Sequence, residues 1–202
     1  MTEHVSAGAD VQAAVDDAAG GGTVSLEPGV HEPGAVLLRS NVRLHLEPGA
    51  VLRATPGRED ATEGHLLAAE DAENVAITGQ GTVDGRGLAF MLDRPIPLDI
   101  PGHDARQGDD YPIPGGEEAP LAAADRPAGL ARFEDCEGVT VSDVTMCGSP
   151  AWTLHFRACE DVTVRGVTID NDPRIPNSDG VVPDMCRDVR IADCAIHTGD
   201  DA

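Results

Sequence analysis

The sequence repeats a short pattern that begins with cysteine. Three segments share it: Cys136-Glu137-Gly138-Val139, Cys159-Glu160-Asp161-Val162 and Cys186-Arg187-Asp188-Val189. They start 23 and 27 residues apart, and apolar residues follow each cysteine in the same rhythm. A chain that repeats one small unit buries its apolar face by stacking neighbouring units, so this pattern predicts a solenoid.

Each repeat contains two short apolar runs on either side of a polar pair, such as Ser142-Asp143 or Arg165-Gly166. Apolar and polar residues alternate within the runs, which predicts two strands joined by a turn. Weaker copies at Asn41-Val42-Arg43-Leu44 and Asn74-Val75-Ala76-Ile77 indicate that the coils begin early. We therefore predict an all-β fold, a right-handed single-stranded parallel β-helix made by one domain, residues 1–202.

The repeated cysteines, Cys136, Cys159 and Cys186, share one register, so we expect their side chains to form a ladder on strands about 4.8 Å apart. We interpret this ladder as structural, because nothing in acidic surroundings would lower a thiol pKa enough for catalysis. With Cys147 and Cys194 the total is odd and lacks a Cys-x-x-Cys pair. The spacing favours buried thiols over a zinc site or a complete disulfide framework.

Two segments depart from the repeat. From Asp10 to Ala18, apolar residues recur at helical spacing before a run of three glycines, which predicts a short N-terminal helix that caps the solenoid. At about residues 85–128 the periodicity gives way to a proline-rich stretch, which we interpret as a long loop inserted between coils. Its composition suits a binding lid and a disordered segment equally well.

The charge balance limits the partners of the chain. Its 36 acidic and 14 basic residues give a net charge of -22, and every basic residue is arginine. Such a surface repels nucleic acid and anionic membranes, so neither is expected as a partner. Because high salt screens this self-repulsion, the balance favours a halophilic source, and an acidic protein from an ordinary environment is the alternative.

The N-terminus, Met1–Val5, has neither a basic start nor an apolar segment, and no later stretch approaches the length of a membrane span. We therefore predict a cytoplasmic protein and leave secretion open if the true N-terminus differs. A complete chain of this kind is expected to be a monomer.

Two acidic motifs lie about one coil apart, Asn177-Ser178-Asp179-Gly180 and Gly199-Asp200-Asp201-Ala202. Stacking should therefore bring their three carboxylates together on one face. Carboxylates this close repel one another, so at least one should keep its proton near neutral pH while the others ionise. That division of roles is what glycoside hydrolysis needs, although solvated turn residues would give the same sequence.

The chain resembles glycoside hydrolase family 28, the polygalacturonases, in blocks that occur in the same order along nearly its whole length outside the proline-rich stretch. The blocks are Val11-Gln12-Ala13-Ala14-Val15 with Gly20-Gly21-Gly22-Thr23-Val24, Ser40-Asn41-Val42-Arg43-Leu44-His45-Leu46, Ser149-Pro150-Ala151-Trp152-Thr153-Leu154-His155-Phe156, Asn177-Ser178-Asp179-Gly180 and Gly199-Asp200-Asp201.

This resemblance implies hydrolysis of pectin-type polygalacturonides with inversion, and it implies no metal and no cofactor. It gives Asp200 the role of general acid, while Asp179 and Asp201 activate water. Inverting enzymes need room for that water, which corresponds to carboxyl groups roughly 6.5–9.5 Å apart.

The same resemblance names Asn177, Trp152 and His155 as substrate-binding candidates. Trp152 lies seven residues before Cys159, as Asp179 lies seven before Cys186, so the repeat places the indole one coil from the acidic site. It could stack on a sugar or pack inside the coil. His155 could equally be a hydrogen-bonded structural group.

One difference from the family concerns the basic residues. The chain stops at Ala202, before the family's Gly-His-Gly and Arg-x-Lys motifs, which would hold the carboxylates of the substrate. An anionic polysaccharide needs such donors, and the sequence offers none in the expected place. We therefore expect a β-helix truncated at its C-terminal end, weakly active or inactive by itself.

Two alternatives remain at this stage. A calcium-dependent pectate lyase also uses a parallel β-helix, with carboxylates that bind Ca²⁺ and an arginine as base. A non-catalytic carbohydrate-binding or structural β-helix would account for the missing basic motifs.

Overall fold

The structure is a computed structural model that describes residues 1–55, 64–95, 121–123 and 126–202. Over these residues it has one α-helix, α1 (Val11–Asp17), one 3-10 helix (Gly87–Phe90) and twenty strands. The strands are β1 (Thr2–Val5), β2 (Gly22–Leu26), β3 (Gly29–His31), β4 (Val36–Leu37), β5 (Val42–Leu46), β6 (Ala50–Arg53), β7 (His65–Glu70), β8 (Ala76–Gly79), β9 (Thr82–Asp84), β10 (Met91–Pro95), β11 (Leu121–Ala123), β12 (Gly129–Glu134), β13 (Glu137–Ser142), β14 (Thr145–Cys147), β15 (Trp152–Arg157), β16 (Glu160–Arg165), β17 (Thr168–Asp170), β18 (Val181–Asp184), β19 (Arg187–Ala192) and β20 (Ala195–His197).

Three parallel sheets contain all these strands except β10 and β11. The first sheet has the order β1-β2-β5-β8-β13-β16-β19, the second β3-β6-β9-β14-β17-β20 and the third β4-β7-β12-β15-β18. A coil such as β13–β14–β15 gives one strand to each sheet before the next coil stacks on it. The predicted parallel β-helix is confirmed.

Each coil has one strand more than the sequence pattern predicted. The two strands of the cysteine-led repeat are present, for example as β13 and β14, with the turn between them at Asp143. A third strand, β15, follows in the Ser149–Phe156 block. It was missed because its apolar residues lie outside the rhythm that follows each cysteine.

The core runs along the axis of the solenoid. Aliphatic side chains stack in register, as in the Val139–Val162–Val189 row across β13, β16 and β19. The rings of Phe133 and Phe156, on β12 and β15, stack with centroids 5.1 Å apart. Burial of such rows is the main stabilising contribution to a stacked-coil fold.

The cysteine ladder is present in the predicted register. Each of these cysteines comes directly before one of the residues that pair across β13, β16 and β19, namely Glu137, Glu160 and Arg187. Backbone hydrogen bonds from Glu160 N to Cys136 O and from Arg187 N to Cys159 O therefore place Cys136, Cys159 and Cys186 in one column. Cys136 and Cys159 are buried, and all five cysteines are free thiols. The hydrogen bond with the neighbouring Cys136 thiol raises the pKa of Cys159, and burial raises it further, which suits an unreactive core position.

The predicted helix is α1, and its ends follow from the sequence. The Asp10 side chain accepts a hydrogen bond from Ala13 N at 3.0 Å and caps the N-terminus. Val11, Ala14 and Val15 are buried, and α1 contacts β1 and β4. The helix therefore covers apolar residues at the first coils. In the described part of the chain, no helix is long and apolar enough to cross a bilayer.

The predicted insertion at 85–128 lies largely outside the described residues. Its described ends form the 3-10 helix and a small antiparallel ribbon of β10 with β11, apart from the three parallel sheets. Leu121 N donates to Arg174 O at 2.8 Å, so the returning end of the insertion contacts the loop that carries Asp179. Whether the rest is a lid or a disordered segment stays a prediction.

Candidate active site

The two acidic motifs lie side by side on neighbouring coils. Asp179 precedes β18, and Asp200 and Asp201 follow β20. Gly180 N donates to Asp201 O at 2.7 Å, and Gly199 N donates to Ser178 Oγ at 3.2 Å. The backbone bonds therefore hold the segments in contact, as the coil length predicted.

The glycine in each motif allows this close approach. A Cβ on Gly180 would lie 2.8 Å from Ile196 Cγ2, and a Cβ on Gly199 would lie 2.4 Å from Pro173 O. Neither distance is compatible with a side chain unless the backbone shifts. The glycines let the two acidic segments pack directly against their neighbours.

The carboxylates differ in their environment. Asp200 and Asp201 are exposed, whereas Asp179 is partly buried and its Oδ1 atom is buried without a hydrogen-bond partner. Burial raises the pKa of the Asp179 carboxyl, and the negative charges of Asp200 and Asp201 raise it further. Of the three, Asp179 is therefore the one whose environment most favours the proton.

A buried amide fixes the chain next to Asp179. Asn171, in the loop after β17, accepts a hydrogen bond from Ser149 N at 2.9 Å. Its Nδ2 atom donates to Thr153 Oγ1 at 2.8 Å and to Ser178 O at 3.2 Å. Asn171 thus ties three successive pieces of the site together. The sequence analysis missed it, because nothing distinguishes this asparagine from the many polar residues found in turns.

Asn177 contacts an arginine that the sequence analysis also missed. Arg126 Nη2 donates to Asn177 Oδ1 at 2.9 Å, and Nη1 donates to Pro150 O at 2.9 Å and to Pro176 O at 2.5 Å. Arg126 therefore bridges the segments that carry Trp152 and Asp179. It lies at the end of the proline-rich stretch, where no repeat signals its position.

Trp152 lies one coil from Asp179. Thr153 N donates to Asp179 O at 2.9 Å, so the strand that begins with Trp152 runs beside the acidic segment. The residue is 37% exposed, which contradicts packing inside the coil. Its ring meets the His155 ring edge-on, with centroids 4.7 Å apart.

His155 is buried, and its Nε2 atom has no hydrogen-bond partner. Burial lowers the pKa of the imidazole, and the positive charges of Arg132 and His65 lower it further. His155 is therefore neutral near neutral pH, and it adjoins the same open space as Trp152.

That space is a groove of roughly 430 Å³ beside the acidic site. Arg126, Arg132, Trp152, His155 and Asn177 line it, and no acidic residue does within the described ranges. These two arginines are basic donors near the site, although they do not lie where the family's later basic motifs are expected. Arg132 stands opposite His155 in the register of β12 and β15, a match that the repeat spacing of 23 residues contained.

We found no metal centre in the parts of the chain that are described. There, no group of three or more histidine, cysteine, aspartate or glutamate side chains is arranged to hold an ion.

Comparison with known proteins agrees with the fold and the motifs. Residues 107–202 match the model of glycosyl hydrolases family 28. No curated protein sequence matches the chain significantly.

Solved structures give the same fold. A polygalacturonase from Erwinia carotovora ssp. carotovora is 24% identical with a TM-score of 0.74, and the match covers 99% of this chain and 56% of that one. A hyperthermoactive exopolygalacturonase from Thermotoga maritima is 24% identical with a TM-score of 0.71, and the match covers 99% of this chain and 53% of that one. A Parabacteroides merdae protein described as a glycosyl hydrolase is 26% identical with a TM-score of 0.69, and the match covers 96% of this chain and 84% of that one. The chain thus spans about half the length of the two polygalacturonases.

Proposed function

We propose that the chain carries the catalytic carboxylates of a polygalacturonase-type hydrolase, because its residues 107–202 match the model of glycosyl hydrolases family 28. The single observation that supports this proposal is the contact between the Asp179 segment and the Asp200-Asp201 segment, through the bond from Gly180 N to Asp201 O. Two acidic motifs that are 21 residues apart in sequence form one acidic site.

The proposed division of roles among the carboxylates follows the resemblance to the family. Asp200 is exposed and is assigned as the general acid that protonates the leaving glycosidic oxygen. Asp179 and Asp201 activate the attacking water from the adjacent positions. The raised pKa of Asp179 makes its carboxylate, once ionised, a stronger base than an ordinary aspartate. Direct attack by water on the sugar gives inversion of configuration.

The substrate is proposed to be a polygalacturonide, as in the names of the two polygalacturonases of the same fold. Trp152 offers part of an indole face beside the site, and a sugar ring can stack on such a face. Asn177 and His155 adjoin the same groove and supply polar edges.

The test is release of reducing ends from polygalacturonate by the chain and by three variants, Asp179→Asn, Asp200→Asn and Asp201→Asn. Each change keeps the shape of the side chain and removes its acid or base function. We expect kcat to fall about 10²- to 10⁴-fold in each case. Asp161→Asn, at an exposed position of β16 on another face, is the matched control and should keep whatever activity the parent chain has.

The products distinguish this proposal from a lyase. Hydrolysis gives saturated products of inverted configuration and continues when calcium is removed with a chelator. Unsaturated products, or activity that disappears with chelator, would assign the chain to calcium-dependent elimination instead. Variants that all retain wild-type rates would show that the three carboxylates are not catalytic.

A further inference from the structure

Arg126 has an unusual set of partners for a chain this acidic. The guanidinium is half-buried, and its hydrogen bonds go to two backbone carbonyls and the Asn177 amide. All these acceptors are neutral. A guanidinium stays cationic at any ordinary pH, so these contacts leave its positive charge without a carboxylate among the described residues.

The charges of the residues around Arg126 also favour binding of an anion. The chain carries 36 acidic residues, yet the described lining of the groove beside Arg126 contains none of them. Arg132 lines the same groove, but its charge is paired with Glu134, so the positive potential there comes mainly from Arg126. In a half-enclosed groove the low dielectric strengthens attraction between such groups and an incoming anion.

The groove also holds a buried polar atom without a partner and an aromatic face. His155 is 8% exposed, its Nε2 atom lacks a hydrogen bond, and it lines the groove together with the partly exposed Trp152. A buried polar atom in this state costs free energy unless a ligand satisfies it. A ligand that brings one anionic group, hydroxyls and an apolar ring face would match all three features, as a uronate sugar does.

The groove lies next to the acidic site. Asn177, which accepts from Arg126, is two residues from Asp179, and the strand of Trp152 is bonded directly to the Asp179 segment. A sugar in the groove would therefore be joined through the polymer chain to the sugar at the three carboxylates.

We propose that Arg126, with Arg132, His155 and Trp152, forms a subsite that binds the carboxylate of a uronate residue adjacent to the one cleaved. This inference rests on the proposed function, because it takes the aspartate site as the point of cleavage. Arg126 binds the carboxylate, Trp152 stacks on the sugar ring and His155 contacts a hydroxyl. The subsite explains how a chain with a net charge of -22 can bind an anionic polymer.

The experiment measures binding to a galacturonate oligomer and to its fully methyl-esterified form, in which each charged carboxylate is replaced by a neutral methyl ester. Titration calorimetry at one fixed ionic strength is carried out with the Asp201→Asn chain, so that the ligand is not consumed. Arg126→Gln is then added and is expected to weaken binding of the acidic oligomer by about ten- to a hundredfold. Binding of the esterified oligomer should change by less than about twofold, because its ester has no charge to lose.

Two further variants separate recognition from structure. Arg126→Lys keeps the charge but loses the forked geometry, so it should retain part of the preference for the acidic oligomer. It also serves if Arg126→Gln fails to fold, since Arg126 also bonds to Pro150 and Pro176. Arg165→Gln, on another sheet and paired with Asp143, is the matched loss of one arginine and should bind both oligomers as the parent does.

Each outcome decides the question. Equal weakening for both oligomers would make Arg126 a structural residue and overturn the subsite, as would no weakening or no binding of either oligomer. Hydrolysis is measured separately in the chain with Asp201 intact. If charge-selective binding depends on Arg126 but the chain does not hydrolyse polygalacturonate, the subsite stands and the proposed function fails. If hydrolysis needs the three aspartates but the preference for the acidic oligomer does not depend on Arg126, the proposed function stands and the subsite fails.

Discussion

Asp179 differs from the two aspartates beside it because part of its carboxyl is withdrawn from water. Its Oδ1 atom is buried without a partner, and Asn171 holds the neighbouring Ser178 in place. The same confinement that positions the carboxylate also makes its ionisation unfavourable. Active sites commonly concentrate such conflicts, because a well-placed base cannot also be well solvated.

This conflict predicts how stability depends on pH. The folded chain holds the Asp179 proton more tightly than the unfolded chain, so the free energy of unfolding falls as pH rises from the ordinary aspartate pKa of 3.8 through the raised value. Asp179→Asn removes this titration. Above that window the variant should therefore melt at a higher temperature than the parent, and below it the two should coincide.

Asp172 provides a control of opposite sign for these melts. Hydrogen bonds from Arg174 hold the pKa of Asp172 below its ordinary value, including a contact of 2.6 Å from Nη2 to Oδ2. Asp172 therefore stabilises the fold above its ordinary pKa, and this contribution is lost as pH falls through the lowered value. Asp172→Asn should lower the melting temperature near neutral pH. A lower melting temperature for Asp179→Asn at the same pH would contradict the role of burial.

Prediction from sequence succeeded for residues whose position depends on coil length and failed for those placed by tertiary contacts. The motifs of Asp179 and Asp200 came together because both lie at the same point of successive coils. Arg126 was missed because it follows the proline-rich stretch, where spacing carries no information. Asn171 was missed because its buried hydrogen bonds depend on the fold, which brings Ser149 and Thr153 of the preceding coil and Ser178 to its side chain.

At the scale of elements, the turns between sheets stack as regularly as the strands. Where the third sheet leads into the first, successive coils place a residue of positive φ in one column: Asp71, Asp135, Ala158 and Met185. Backbone bonds such as Asp135 N to Arg157 O define this register. Aspartate tolerates the left-handed conformation, whereas alanine and methionine have no side-chain hydrogen bond to offset its cost. The polar pairs found in the sequence mark only the turns between the first and second strands of a coil, so this column was not predicted.

The column predicts a stabilising substitution at Ala158. This residue has φ of 52° and is exposed, so glycine would relieve the strain without losing a packed side chain. We expect Ala158→Gly to raise the free energy of unfolding by about 1 kcal/mol, measured by chemical denaturation. Ala195→Gly is the matched change at an exposed strand position, and it should instead lower stability by about 0.5–1 kcal/mol. If both variants lose stability, φ at Ala158 is not a source of strain.

At the scale of the whole molecule, stacking determines both the core and the distribution of charge. Apolar rows such as Val139–Val162–Val189 are predictable because each coil repeats the same local pattern. The same register also aligns the polar corners. In one column Asn74 Nδ2 donates to Asn41 Oδ1 at 3.0 Å, a favourable contact between neighbouring coils. Further along that column the register brings Asp161 beside Asp188, so two like charges face each other.

The charge of the whole chain therefore predicts a dependence of stability on salt. A net charge of -22 repels itself most strongly in dilute buffer, and salt near 1 M shortens the screening length to about 3 Å. We expect the melting temperature to rise steadily with sodium chloride up to molar concentration. The double variant Asp161→Asn/Asp188→Asn removes one stacked repulsion and extends the pattern of Asn41 and Asn74, so it should melt higher in dilute buffer and gain less from salt. Because salt also strengthens apolar burial in any protein, the smaller gain of the double variant is what identifies screening as the cause. A melting temperature that stays flat or falls with salt, or identical salt responses of the two chains, would contradict the expected adaptation to high salt.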